Sequence, residues 1–196
     1  MEQITEFHYI LVKNINLYAA GENNTTGCGN VSLGYFAGNF GDYNVTIGYN
    51  SGVNNQSNDS VFIGRDSGQN SSSFTNVFIG AYSGQSNFAS SNTFIGYCSG
   101  ACNLSGGCNT FIGQNSGLLS GCGFNTYIGF GANAAAGVTN SISLGACACA
   151  QSSGVISLGS TTYPLNTTSI SGPISAYIYV WVNGVEYRMP IYETIP

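Results

Sequence analysis

Eight carboxylates, one imidazole and seven thiols are the chain's readiest groups for acid–base, thiolate or metal chemistry. General acid–base work needs paired carboxylates or a histidine with partners. Here the carboxylates are scattered, and His8 sits in a run with no neighbouring Cys, Ser or Asp. Asp59 and Asp66 flank Arg65 and suit a solvated surface pair; glycan cleavage would require carboxylates converging from different chains. Cys28, Cys98, Cys102, Cys108, Cys122, Cys147 and Cys149 show no zinc-ligand spacing, and Cys147-Ala-Cys149 is too tight for a zinc knuckle. An odd number of thiols argues against a fully paired disulfide framework, which leaves packed small side chains or bridges between neighbouring rungs. The residues therefore point to no catalytic group, no metal and no cofactor.

Charge narrows the field further. Only 6% of residues are charged, and Lys13, Arg65 and Arg188 cannot neutralise a run of phosphates, which argues against nucleic-acid binding. The longest apolar run, around Tyr9–Val12, is far short of a membrane helix, so no insertion is expected. Residues 1–20 lack the basic start and apolar centre of a secretory signal, and synthesis in a cytoplasm is expected. A surface of hydroxyls and amides suits a virion or extracellular fibre.

What the chain does carry is a repeat. Asn76-Val-Phe-Ile-Gly80, Asn92-Thr-Phe-Ile-Gly96, Asn109-Thr-Phe-Ile-Gly113 and Asn125-Thr-Tyr-Ile-Gly129 are one phrase, with weaker copies closing at Gly34, Gly48, Gly64, Gly145 and Gly159. The nine closing glycines lie 14, 16, 16, 16, 17, 16, 16 and 14 residues apart. A fixed short period of this kind marks a quasi-one-dimensional fold. A rung of this length cannot hold a strand and a packed helix, but suits two short strands with turns. The expected fold is all-β: a parallel β-solenoid or β-roll of about nine rungs of 14–17 residues.

Counting from the closing glycine, positions −3 and −1 share one face of a short strand and position −2 takes the other. The apolar −3 and −1 residues are expected to fill the roll, with Val45, Ile47, Ile63, Ile79, Ile95, Ile112, Ile128, Leu144 and Leu158 as its core. Gly48, Gly64, Gly80, Gly96, Gly113 and Gly129 are expected to make the tight corner. Position −2 would then expose Phe62, Phe78, Phe94, Phe111 and Tyr127 as an apolar ladder that something must cover. Sister chains are the economical cover, which makes these five residues the expected oligomer interface. Loops carrying Phe74, Phe88 and Phe124 are the alternative.

The phrase resembles the repeated Asn-Ser-Val-Ala-Ile-Gly element of YadA-like trimeric autotransporter adhesin heads, and related repeats in phage and viral tail fibres. Asn140-Ser-Ile-Ser-Leu-Gly145 fits that element in residue type, and Asp59-Ser-Val-Phe-Ile-Gly64 nearly so. The resemblance covers residues 30–159 and implies a left-handed parallel β-roll, a homotrimer around a common axis and a fibrous role, with no catalytic residues. Bulky aromatics where Ala is usual, the many cysteines and the lack of a stalk and anchor favour a virion or filament component over a bacterial adhesin.

Flanking segments complete the organisation. Residues 1–29 hold a β-rich stretch, 3–18, suited to docking on other structural proteins by strand addition or to capping the roll. Residues 160–173 read as a Ser/Thr/Pro linker, and residues 174–196 as a β-hairpin turning at Asn183-Gly184. The function expected is a non-enzymatic fibre or adhesin subunit, touching host surfaces or glycans through Tyr, Asn and Ser faces. A self-polymerising filament subunit or capsid decoration protein is the alternative. Nine Asn-x-Ser/Thr sites, Asn44, Asn55 and Asn103 among them, would matter only in a secretory producer.

Overall fold

The computed structural model describes residues 19–162, apart from Asn23, Thr25, Thr26, Asn39 and Leu119, together with residues 174–182 and 185–192. The stretch 3–18 with His8, most of the linker and the hairpin turn itself lie outside the described residues. Two compact units divide the chain near Tyr163.

The first unit is the repeat. Nine three-residue strands, β1 (Val31–Leu33), β2 (Val45–Ile47), β3 (Val61–Ile63), β4 (Val77–Ile79), β5 (Thr93–Ile95), β6 (Thr110–Ile112), β7 (Thr126–Ile128), β9 (Ile142–Leu144) and β11 (Ile156–Leu158), form one parallel sheet in chain order. The short strands β8 (Asn133–Ala134) and β10 (Cys149–Ala150) pair with each other on a separate wall. Register follows the repeat without slip: Phe62 lies opposite Phe78, Phe78 opposite Phe94, Phe94 opposite Phe111 and Phe111 opposite Tyr127. The chain is thus an all-β solenoid of about eight turns, with no helix among the described residues.

The second unit is an antiparallel hairpin of β12 (Ile174–Val182) and β13 (Val185–Tyr192). Val182 pairs with Val185, so the connection is two residues long, and a register irregularity lies between Ile174 and Ala176.

Two features differ from the expectation. Apart from β8 and β10, the half of each rung after the closing glycine holds turns in place of a second strand. Gly52, Gly68, Gly84, Gly100 and Gly117, four residues past that glycine, stand at φ between 57° and 68°, a left-handed conformation that breaks the strand; β8 and β10 form where Asn133 and Cys149 take that place. The turns still stack: Gly68 N–H donates to Ser83 O and Gly84 N–H to Ser99 O, each at 2.9 Å.

The second difference is parity. Phe62, Phe78, Phe94, Phe111 and Tyr127, expected on an exterior interface, are wholly buried and form the core of the coil. Val45, Ile47, Ile63, Ile79, Ile95, Ile112, Ile128, Leu144 and Leu158, expected inside, point outward; the first four and Ile112 are half-buried and the rest exposed. The pairing of −3 with −1 on one face holds, and the assignment of that face to the interior does not. Space decides the matter. A rung leaves room for one large side chain, because the wall facing the ring is a glycine. A Cβ on Gly68 would lie 2.5 Å from the Phe62 ring, on Gly84 2.3 Å from Phe78, on Gly100 2.4 Å from Phe94 and on Gly117 2.3 Å from Phe111.

Candidate functional site

Two surfaces emerge from this arrangement: an outer strand face, and the end of the inner aromatic column. Both rest on polar ladders that hold the rungs in register. At position −4, Asn76 Oδ1 accepts the Asn92 N–H, Asn92 Oδ1 the Asn109 N–H, and Asn109 Oδ1 the Asn125 N–H, at 2.8–2.9 Å. These side chains lie inside because −4 and −2 share a face, and their amides also donate to corner carbonyls, as Asn92 Nδ2 does to Ala89 O at 2.9 Å. At position +3, Ser67 Oγ donates to Phe78 O, Ser83 Oγ to Phe94 O, Ser99 Oγ to Phe111 O and Ser116 Oγ to Tyr127 O, at 3.0–3.1 Å. Each of these buried hydroxyls thereby keeps a partner, which burial of a polar group requires. Neither ladder is among the sites expected from sequence, although a recurring Gly-x-x-Ser-Gly tail, as in Gly80-Ala-Tyr-Ser-Gly84, was its signal.

Between the ladders the rings stack. Centroid separations run 5.4, 5.0, 4.7 and 4.6 Å from Phe62 to Tyr127, and the planes close from 32° apart to 2°. Burying each ring is worth about 2 kcal/mol, with stacking adding roughly 1 kcal/mol. The closing glycines are fixed by the same stacking. Gly80 sits at φ 131°, and a Cβ there would come within 2.5 Å of Gly96 O on the next rung.

The outer face consists of positions −3 and −1 of the nine strands. Its eighteen residues are fifteen aliphatic side chains and Thr93, Thr110 and Thr126, without a single charge. None of them is buried in the chain, and Val31, Ile95, Ile128, Ile142, Leu144, Ile156 and Leu158 are exposed. Nine strands spaced about 4.8 Å apart make the face roughly 40 Å long. Beside it, at position +1, stand Tyr49, Tyr97 and Phe130, each about half exposed, and Tyr35, whose ring stacks on Tyr49 at 5.4 Å, with exposed Arg65 and Gln114 interrupting the column.

The aromatic column ends at Tyr127. On the next rung position −2 is Ser143, and the residue four past the closing glycine is Asn133 in place of the usual Gly. Here Ser120–Cys122, Tyr127 and Asn133–Val138 line a cavity of about 230 Å³. Tyr127 Oη is buried and makes no hydrogen bond of acceptable geometry among the described residues. Burial pushes its phenol above the ordinary value, with the nearby Ser141 and Ser120 hydroxyls acting against that. Ser141 Oγ donates to Asn125 Oδ1 at 2.9 Å and keeps its lone pairs facing the phenol.

The remaining candidates settle differently. Phe74, Phe88 and Phe124 are more than half exposed and do not cover the column. All seven cysteines are free and none is buried, so they do not fill the core of the coil. Tyr43 and Tyr97, each hydrogen-bonded to a cysteine, Cys28 and Cys98, have their phenols raised by that bond first. Arg65 Nε lies 3.7 Å from Asp66 Oδ2 and the guanidinium stands 4.8 Å over the Tyr82 ring, but the Asp66 side chain is largely buried and also accepts from Asn50 Nδ2. No group of metal-binding side chains gathers among the described residues. Asn44, Asn55 and Asn103 of the Asn-x-Ser/Thr sites are buried, with their amide nitrogens donating to backbone carbonyls. Compared with known family models and with curated proteins, the chain matches neither.

Proposed function

We propose that the chain is a non-enzymatic structural subunit of a virion or extracellular fibre, assembled as a homotrimer through the outer face of β1–β7, β9 and β11. The observation that carries this reading is that face: eighteen positions, uncharged, and none buried by the chain itself. At strand geometry, three residues by nine strands, it spans about 40 by 10 Å, roughly 400 Å². A contiguous apolar patch of that size marks an interaction site on many monomers, and it supplies about half of one partner's share of a standard interface. The likeness of residues 30–159 to trimeric adhesin-head and tail-fibre repeats supports the same number of chains. The self-association expected from sequence is kept, and its residues change: Val, Ile, Thr and Leu replace the five rings.

In this reading the corners away from the face, carrying Asn, Ser and exposed aromatics such as Phe74 and Phe124, meet host surfaces or glycans by stacking and many weak hydrogen bonds. Light scattering of the full chain tests the assembly: three chain masses are expected at micromolar concentration. Ile79→Lys with Ile95→Lys is expected to give one chain mass with the β-type circular dichroism retained. A wild-type monomer sinks the proposal, and long filaments in micrographs would turn it toward end-to-end polymerisation.

A further inference from the structure

The C-terminal unit has no part in the assembly just proposed. Among the described residues it holds β12 and β13 and no third element. A two-stranded hairpin by itself is marginal in water and needs packing on an apolar face to persist. Antiparallel register sorts its residues, because residues directly opposite one another share a face. Ile178 with Met189, Val180 with Tyr187 and Val182 with Val185 fall on one face, which carries no charge. Tyr177 with Pro190, Tyr179 with Arg188 and Trp181 with Glu186 fall on the other, which takes both charges of the two strands. Tyr177 and Glu186, both of this second face, are exposed. The hairpin therefore has one solvated face, and its uncharged face is the one that calls for a cover.

Tethering says what supplies it. Residues 159–173 are the only chain between β11 and β12, a span of about 50 Å when fully drawn out. A homotrimer about one axis brings three β11 strands to the same end, so it holds three hairpins at an effective concentration on the order of 1 mM. We propose that the hairpins of three sister chains pack on one another through the face of Ile178, Val180 and Val182, as a second assembly element beside the roll, with the Tyr177 face left to solvent. The number three rests on the homotrimer proposed above. At strand geometry each hairpin offers about 30 by 10 Å, roughly 300 Å², well under what joins free chains. The contact thus forms among tethered hairpins and strengthens the roll contact, without holding together chains whose roll faces have been broken.

The test uses the full chain. Ile178→Lys with Val180→Lys puts charge on the uncharged face, and Tyr177→Lys with Tyr179→Lys makes a similar loss of strand propensity on the solvated one. Sedimentation across a dilution series reads assembly, and hydrogen exchange followed by peptide mass spectrometry reads hairpin and roll separately. The trimer of the first variant is expected to dissociate at about tenfold higher concentration than the wild type, with roll peptides protected as before, while the second variant matches the wild type. In the chain carrying Ile79→Lys and Ile95→Lys, hairpin peptides are expected to exchange about tenfold faster than in the trimer, while roll peptides keep their protection. Equal effects from the two hairpin variants, or none from either, overturn the proposal. Hairpin protection that survives in the monomeric roll variant also overturns it, since the chain then covers this face itself. A wild-type monomer removes the homotrimer and this proposal together, whereas a trimer indifferent to Ile178→Lys with Val180→Lys removes only the proposal.

Discussion

Single residues set the spacing of this coil, and two substitutions measure how firmly. Gly84 stands at φ 60°, with the space of its missing side chain filled by the Phe78 ring at 2.3 Å. Gly84→Ala must strain the backbone and displace the ring, and is expected to cost about 3 kcal/mol, with partial recovery when Phe78→Leu is added; thermal melts of the single and double variants check this. Asn92→Ala removes the acceptor of the Asn109 N–H and the donor to Ala89 O. The stranded buried groups are expected to lower stability by about 3 kcal/mol, seen as a midpoint shift in urea. Tyr127 gives a pH test. Its folded-state pKa is raised above the ordinary 10.0 by burial, so the folded state holds the proton longer than the unfolded one. The stability from that phenol is complete below the unfolded value and is lost as pH climbs through the folded value. Alkaline unfolding above about pH 10 is therefore expected to be steeper for the wild type than for Tyr127→Phe, by circular dichroism at stepped pH.

At the scale of elements, the rung is the unit of tolerance, and its corner absorbs change that its strand cannot. The one interval of 17 residues, Gly96 to Gly113, keeps β5 and β6 in register, Phe94 opposite Phe111. Its extra residue lies between Asn103 and Gly106: Asn109 reaches Gly106 O as Asn92 reaches Ala89 O, while Asn103 spans three residues to Gly106 O where Asn87 spans two to Ala89 O. Deleting Leu104 should restore a 16-residue rung and leave the melting temperature within about 5 °C. Deleting Thr93 shifts β5 by one residue and turns Phe94 out and Ile95 in, and loss of the cooperative transition is expected. Each single-residue deletion thus reports, in one melting curve, whether its site belongs to a corner or a strand.

The whole molecule differs from ordinary domains in what its surface lacks. Three basic and eight acidic residues leave little for charge to contribute to assembly, and the outer strand face has none. Association through that face should be indifferent to salt between about 50 mM and 1 M, or strengthen, because apolar contact is not screened; sedimentation across that range checks it. Free, partly exposed thiols at Cys28, Cys102 and Cys108 are consistent with a chain whose rungs are held by hydrogen-bond ladders without covalent bridges.

The amino-acid sequence by itself determined the period, the parallel stack, the hairpin pairing around a two-residue turn and the fact that −3 and −1 share a face, since all of these follow from local spacing. It also contained the Asn, Ser and Gly columns, though their purpose shows only when rungs lie on one another. Which face turned inward was left to the tertiary structure. Strand alternation offers two apolar faces, Val/Ile/Thr/Leu and Phe, and nothing within three residues ranks them. The choice is made across the coil, where glycines such as Gly84 and Gly100 leave a gap that only a planar ring fills and the Asn ladder beside it needs burial to keep its bonds. For the same reason the end of the aromatic column is invisible in the linear pattern: Tyr127 becomes distinct from Phe111 only when the wall opposite it is Asn133–Val138.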